Sequence, residues 1–129
     1  LRSDGLASAS KKASRTTNEG LVEAYIHSGG RVGAIVEINC ETDFVANTAD
    51  FKKLAHDVAM QVAAMSPKYL GSADLPEDEK DAEPQDVCLL QQSFIRDPTT
   101  TVQDRINEEI AKLGENVRVR RFHRFSLGE

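Results

Sequence analysis

Cysteine is scarce in this chain, and its two copies, Cys40 and Cys88, lie far apart with no C-x-x-C pair and no histidine at ligand spacing. That pattern argues against a disulfide framework and against a structural zinc site. Two reduced thiols are expected instead. Long apolar runs are also missing. None approaches the roughly 20 residues that cross a bilayer, so no membrane association is expected. The first residues lack an apolar block of roughly 7–15 residues, so no secretory signal is expected there. The chain opens on Leu1 rather than methionine, which suits a fragment or a processed product. A Gly-rich phosphate loop, metal-ligand spacing and a nucleophile elbow are absent too. No covalent chemistry, metal or cofactor of its own is therefore expected.

What remains is an ordinary globular composition. The 129 residues are 40% hydrophobic and 29% charged, enough for one domain with its own core. The net charge of −5 hides an asymmetry: residues 74–86 hold seven acids and one lysine, while Arg118, Arg120, Arg121 and Arg124 crowd the last segment. The net figure argues only against a protein that is basic throughout.

Periodicity sets the elements. Ser3 or Asp4 can cap a helix running to about Arg15, with Leu6, Ala9 and Ala13 as a thin apolar stripe. Asn18, Glu19 and Gly20 break it. Two β-rich runs, residues 21–26 and 32–38, flank Gly29-Gly30, which can reach the positive φ of a tight hairpin turn. A strict two-residue turn places Val22, Ala24 and Ile26 on the face opposite Ala34, Val36 and Ile38, so the register stays open and a bulge is an alternative.

Thr42 or Thr48 then caps the clearest amphipathic helix, with Phe51, Leu54, Ala55, Val58, Val62 and Met65 on one stripe. Ser66-Pro67 ends it. Residues 68–70 suit a short edge strand, and residues 71–86 an acidic, mobile linker. Pro98 and Thr99 to Thr101 introduce a second amphipathic helix, with Val102, Ile106, Ile110 and Leu113 on its stripe and Gly114 as its stop. Residues 116–127 read as the last strand, where the phase slip at Phe122 calls for a bulge near residues 120–122. The order predicts a two-layer α+β domain. The hairpin and the late strand form a three-stranded antiparallel sheet, covered on one face by the amphipathic helices.

The candidate chemistry concentrates between the hairpin and the first long helix. Cys40 as a nucleophile would need a nearby base and an electropositive surround, yet its sequence neighbours are acidic. Glu41 and Asp43 form a weak acid/base pair with no pocket signal. Phe44 suits two roles equally well: an anchor for a partner's pocket, or a staple under the next helix. The basic and aromatic residues of 117–125 suit an RNA- or ribosome-binding strand. The competing reading is arginines paired with neighbouring acids.

The run Val36-Glu37-Ile38-Asn39-Cys40-Glu41-Thr42-Asp43-Phe44-Val45-Ala46 resembles the signature of elongation factor Ts, a family of guanine-nucleotide exchange factors. Ile110-Ala111-Lys112-Leu113-Gly114-Glu115-Asn116-Val117-Arg118-Val119-Arg120-Arg121-Phe122 is similar to a later segment of that family. The closing Arg121-Phe122 to Glu129 is similar to cyanobacterial and plastid members. The resemblance spans nearly the whole chain except about residues 68–92, which are short for the family. It implies that residues 1–18 lead out of an absent N-terminal domain and that residues 19–129 form the core, dimerisation-type domain. It further implies elongation factor Tu as the partner, which itself carries GDP or GTP and Mg²⁺. Asp43 and Phe44 would then enter near that Mg²⁺ and phosphate site, supported by Asn39, Thr42 and Val45. Arg31 and His27 are candidates for a second contact, and a homodimer is a candidate assembly. Direct nucleic-acid binding is not implied. The compartment is the cytoplasm, or the chloroplast stroma or mitochondrial matrix in a eukaryote.

Overall fold

A computed structural model describes residues 9 and 11–128. Ser3, Asp4 and Leu6, with most of the expected first helix, lie outside those residues. Ala9, Lys11 and Lys12 are helical, and the Arg15 N–H closes on the Lys12 carbonyl at 2.9 Å. The elements that follow are β1 (Glu19–Ile26), β2 (Val32–Cys40), α1 (Asp43–Ala46), α2 (Ala49–Met65), α3 (Pro84–Val87), β3 (Ser93–Phe94), β4 (Asp97–Thr101), α4 (Val102–Leu113) and β5 (Arg118–Ser126). Single 3₁₀ turns lie at Ser72–Asp74, Glu77–Glu79 and Leu89–Gln91.

The architecture is the expected α+β one. β1, β2 and β5 form an antiparallel sheet in that order, and β3 pairs with β4 in a separate two-stranded ribbon. The hairpin register is unbroken and follows a turn centred on Gly29-Gly30, with Leu21 opposite Ile38 and Tyr25 opposite Ala34. Both glycines take positive φ, 94° and 69°, but the loop spans four residues, 28–31, where a two-residue turn was expected: the His27 N–H donates to the Val32 carbonyl at 2.8 Å and the Gly30 N–H to the His27 carbonyl at 2.9 Å. Val22, Ala24 and Ile26 therefore face away from the core, opposite Glu37, Ile35 and Gly33. The bulge falls between β2 and β5 instead. The pairing shifts between Glu37↔Arg121 and Ile38↔Val119 and leaves Arg120 as the extra residue. That is where the phase slip in the sequence predicts it.

Gly20 does more than break a helix. It lies inside β1 at φ +146°, and a Cβ there would sit 2.1 Å from the Ile38 carbonyl oxygen. Only glycine lets the first strand approach β2 this closely.

α2 packs across all three strands of the sheet, while α4 packs on α2, on the ribbon and on the Leu89–Gln91 turn. Phe51, Leu54, Ala55, Val58 and Val62 are buried against Ala34, Val36, Ile38 and Val119 in one cluster. Met65 departs from its expected place on that stripe: it is 45% exposed, because it occupies the last turn before Ser66 takes a left-handed φ of 50°. Thr48, not Thr42, caps α2, its hydroxyl accepting the Phe51 N–H at 3.2 Å. Thr101 and Asp104 form a reciprocal capping box on α4, and Gly114 ends that helix in the left-handed region.

Residues 71–86, the acidic linker of the sequence, leave the domain and return to it. The Lys68 and Tyr69 N–H groups both donate to the Val87 carbonyl, and the Leu89 N–H donates to the Tyr69 carbonyl at 2.8 Å. Residues 68–70 thus form a single parallel bridge, Tyr69 with Cys88, rather than a strand. Beyond it the buried Gln61 amide clamps the chain to α2. Its Nε2 donates to the Ser93 carbonyl at 3.0 Å and its Oε1 accepts the Ile95 N–H at 2.9 Å. A buried amide satisfied on both ends specifies one docking position.

Candidate partner-binding tip

The functional candidate is built where β2 hands over to α2. β2 ends at Cys40, and Thr42 takes extended backbone (φ −129°, ψ 154°), so the chain turns sharply out of the sheet. The Thr42 hydroxyl accepts the Val45 N–H at 3.3 Å and opens α1, a single helical turn. In one turn, consecutive pairs of residues point in opposite directions. Val45 and Ala46 are 6% and 7% exposed and pin the turn to the core. Asp43 and Phe44 point outward. Asn47 closes the turn, its side-chain amide donating to the Asp43 carbonyl at 2.9 Å.

Phe44 is 80% exposed, the most exposed large hydrophobic side chain among the described residues. This removes the staple alternative, which needs the ring under α2. Phe51, seven positions on, fills that place and is fully buried. The Asp43 carboxylate has no hydrogen bond or ion pair among the described residues. The tip therefore offers an unpaired anion beside an uncovered ring.

The tip is braced from the far end of the sequence. The Glu115 carboxylate, in the loop between α4 and β5, accepts the Glu41 N–H at 3.1 Å, the Thr42 N–H at 3.0 Å and the Thr42 hydroxyl at 2.7 Å. Glu41 reciprocates, accepting the Asn116 N–H at 2.6 Å and pairing with Arg15 at 3.5 Å. The Asn116 side-chain amide donates to the Arg15 carbonyl at 3.0 Å. Reading residues 39–47 alone misses Glu115 and Asn116. Their signal was a glutamate directly after a helix-stopping glycine, within the second motif that resembles the family.

The other sequence candidates separate. Asn39 is 7% exposed and lies in the sheet opposite Gly20 and Arg118, away from the outward face of the tip. Val45 supports the tip from beneath. Thr42 is exposed and stands at its base. His27 and Arg31 occupy the hairpin turn at the opposite end of β2, about 25–30 Å away along a nine-residue strand. There His27 Nδ1 lies 3.1 Å from the Tyr25 hydroxyl.

Cys40 is fully buried, and its thiol donates to the Thr42 carbonyl at 3.1 Å. Burial, then the nearby Glu115 carboxylate, pushes its pKa from the ordinary 9.0 up to about 11. The thiolate is suppressed, as the acidic neighbours in the sequence suggest, though desolvation is the larger cause. Cys88 is shifted upward too, first by burial and then by Asp74. Neither thiol should react with a disulfide reagent in the folded chain near neutral pH, and both should react on unfolding. Because the folded pKa of Cys40 is the higher one, its stabilising contribution is complete below pH 9 and lost as pH rises through about 11. Rapid labelling of the folded chain at neutral pH would contradict this.

The basic strand also divides. Arg121 pairs with Glu37 at 2.8 Å, and Arg124 Nε donates to the Ala63 carbonyl at 3.1 Å near the end of α2. Phe122 is half-buried against the core, and Phe125 lies beside His123 on the open face. The expected pairing of arginines with acids holds for Arg121. Among the described residues no group of His, Cys, Asp and Glu is placed to hold a metal, and no helix is long and apolar enough to cross a membrane.

Comparison with known proteins bears on this geometry. The family model described as Elongation factor TS matches residues 8–85, which include the whole tip. Proteins named elongation factor Ts from Caldanaerobacter subterraneus subsp. tengcongensis, Thermoanaerobacter sp. (strain X514) and Carboxydothermus hydrogenoformans are 50%, 51% and 48% identical to this chain. Each alignment covers 100% of this chain, and 79%, 78% and 73% of the respective relative. The alignments run over 158 positions against 129 residues, so these relatives carry sequence that this chain lacks. With half its residues shared along its full length and a matched segment that holds the braced Thr-Asp-Phe tip, this chain belongs to the elongation factor Ts family of translation elongation factors.

Proposed function

We propose that this chain promotes GDP release from elongation factor Tu, with Asp43 and Phe44 as the inserted element. Phe44 enters between elements of the GTPase domain, and Asp43 bonds to the groups it displaces. The elements so moved are those that hold Mg²⁺ and the phosphates, so nucleotide retention weakens. The coupling is reciprocal: a factor that prefers the nucleotide-free partner lowers nucleotide affinity by the same ratio. No covalent bond is made or broken. The nucleotide and metal belong to the partner, and the chain needs no cofactor of its own. That the relatives are bacterial translation factors supports the cytoplasm as its compartment.

The observation that carries this reading is the ring of Phe44, 80% exposed on a turn whose backbone is held by Glu115. A flexible loop would lose ordering entropy on binding, whereas a pre-braced one has little left to lose. Release of a fluorescent GDP analogue from elongation factor Tu, with and without the chain, tests the reading. Accelerated release is expected, and an unchanged rate at saturating chain overturns it.

The open face of the sheet supports the homodimer. Val22, Ile26, Ile35, Phe125 and Leu127 are all exposed there, and all but Val22 line a groove of about 460 Å³. A second copy stacked face to face would cover this patch at the usual spacing of about 10 Å between sheets. Sedimentation should show a dimer for the native chain and a monomer for Ile35→Lys.

A further inference from the structure

The bulge in β5 has a consequence for charge. A regular strand would turn Arg120 and Arg121 to opposite faces. The extra residue leaves Arg118, Arg120 and Arg121 all exposed, while Val119 stays buried between them. Arg121 is neutralised by Glu37. Arg118 and Arg120 have no ion pair or hydrogen bond among the described residues. Both line a polar cleft of about 500 Å³, together with Arg15, Thr16, Thr17 and Asn39. Arg15 meets one carboxylate there, Glu41, at 3.5 Å and half exposed, a contact too long and too wet to neutralise it. The cleft is thus a concentration of positive charge on a chain whose net charge is −5.

Its position gives this charge a use. Asn39 lines the cleft, and Phe44 follows five residues later. Glu41 and Asn116 tie the two together: Glu41 bonds Asn116 and Arg15, and Asn116 bonds the Arg15 backbone. The cleft therefore adjoins the base of the tip through one hydrogen-bonded network. We propose that Arg118, Arg120 and Arg15 form a steering and docking cleft for an acidic patch on the same GTPase that receives Phe44, a proposal that rests on the exchange reading above. Guanidinium groups suit this task. They stay charged at every relevant pH and engage carboxylates through two parallel N–H donors. Charges at the rim of an interface act mainly on the association rate, and salt screens them. The cleft would bring the partner in, and the tip would then act on it.

The test separates these two roles. Association of a fluorescently labelled elongation factor Tu with the full chain is followed by stopped flow at low and high salt, and GDP release is measured in parallel. For Arg118→Glu/Arg120→Glu, the association rate should fall roughly tenfold at low salt and lose most of its salt dependence. The release rate at saturating chain should stay near that of the native chain, and the dissociation rate should change much less than the association rate. Arg118→Gln/Arg120→Gln should give a smaller loss of the same kind, and Arg121→Gln, which removes a charge already neutralised by Glu37, a smaller one still. Circular dichroism confirms that each variant is folded. An association rate and salt slope equal to the native chain's would overturn the proposal, as would a loss confined to the saturated rate. Loss of single-stranded RNA binding in the double variant, with association to the GTPase unchanged, would assign the cleft to RNA and also overturn it. Charge-dependent association without any acceleration of GDP release would leave the cleft standing and remove the exchange reading instead.

Discussion

Phe44→Ala is expected to slow stimulated GDP release from elongation factor Tu by about 30-fold at subsaturating chain, with no measurable loss of stability. The functional size follows from the role. A buried aromatic anchor at an interface contributes about 2 kcal/mol or more, and each 1.4 kcal/mol is a factor of about ten. Transfer of the ring out of water alone accounts for roughly 1.5–3 kcal/mol. The absence of a stability effect follows from exposure: a ring 80% open to solvent in the free chain loses little packing on truncation. Asp43→Ala should act on the same step with a smaller effect, because its carboxylate gains partners only in the complex. The measurement is fluorescent-GDP release beside a thermal melt of each variant. Native-like stimulation by Phe44→Ala would remove the anchor role, and a large drop in melting temperature would restore the staple.

Phe51→Ala should give the mirror image. Phe51 is fully buried where α2 meets the sheet, among Ile38, Leu54 and Val58. Truncating such a ring costs about 3–5 kcal/mol, because the cavity it leaves does not close. For a domain of this size the melting temperature should fall by roughly 10–20 °C. Below its transition, the folded fraction should still stimulate exchange at a near-native rate per molecule, since the ring touches no partner. A fall of less than about 1 kcal/mol in a denaturant titration would show that the α2–sheet interface is not the tight core inferred from burial. Two phenylalanines seven positions apart thus separate the work of the tip from the work of the frame.

Much of that frame was legible along the chain. The 3.6-residue stripe of α2 and the stripe of α4 each named a buried face; threonines cap both helices, Ser66-Pro67 ends α2 and Gly114 ends α4. Met65 was the exception, because a stripe does not say where the surface it covers runs out. The slip at Phe122 located a bulge, since only an extra residue keeps Val119 and Phe122 both turned to the core. Residues 71–86 were legible only in part: acidic composition predicts solvation but says nothing about whether the two ends of the segment meet. They do meet, through backbone hydrogen bonds around Val87 that no side chain announces.

The site was legible in part. Strand-to-helix position and chemistry singled out Asp43 and Phe44, yet local pattern left the ring equally fit for anchor or staple. Asn39 was read as support at the strand end, and sheet pairing also makes it part of the cleft wall. Glu115 and Asn116 were invisible from the tip because their bonds to Glu41 and Thr42 span more than 70 residues.

By itself, then, the sequence determined the element types, the α+β class, the buried stripes and the family, because period, caps and motifs are local and survive without a third dimension. Tertiary structure alone decided three things. It set the direction of Phe44, which depends on Val45 and Ala46 finding the core. It supplied the Glu115 brace that holds the tip ready. It brought Arg118, Arg120 and Arg15 into one cleft, because strand register and a bulge, not spacing along the chain, determine which charges share a face.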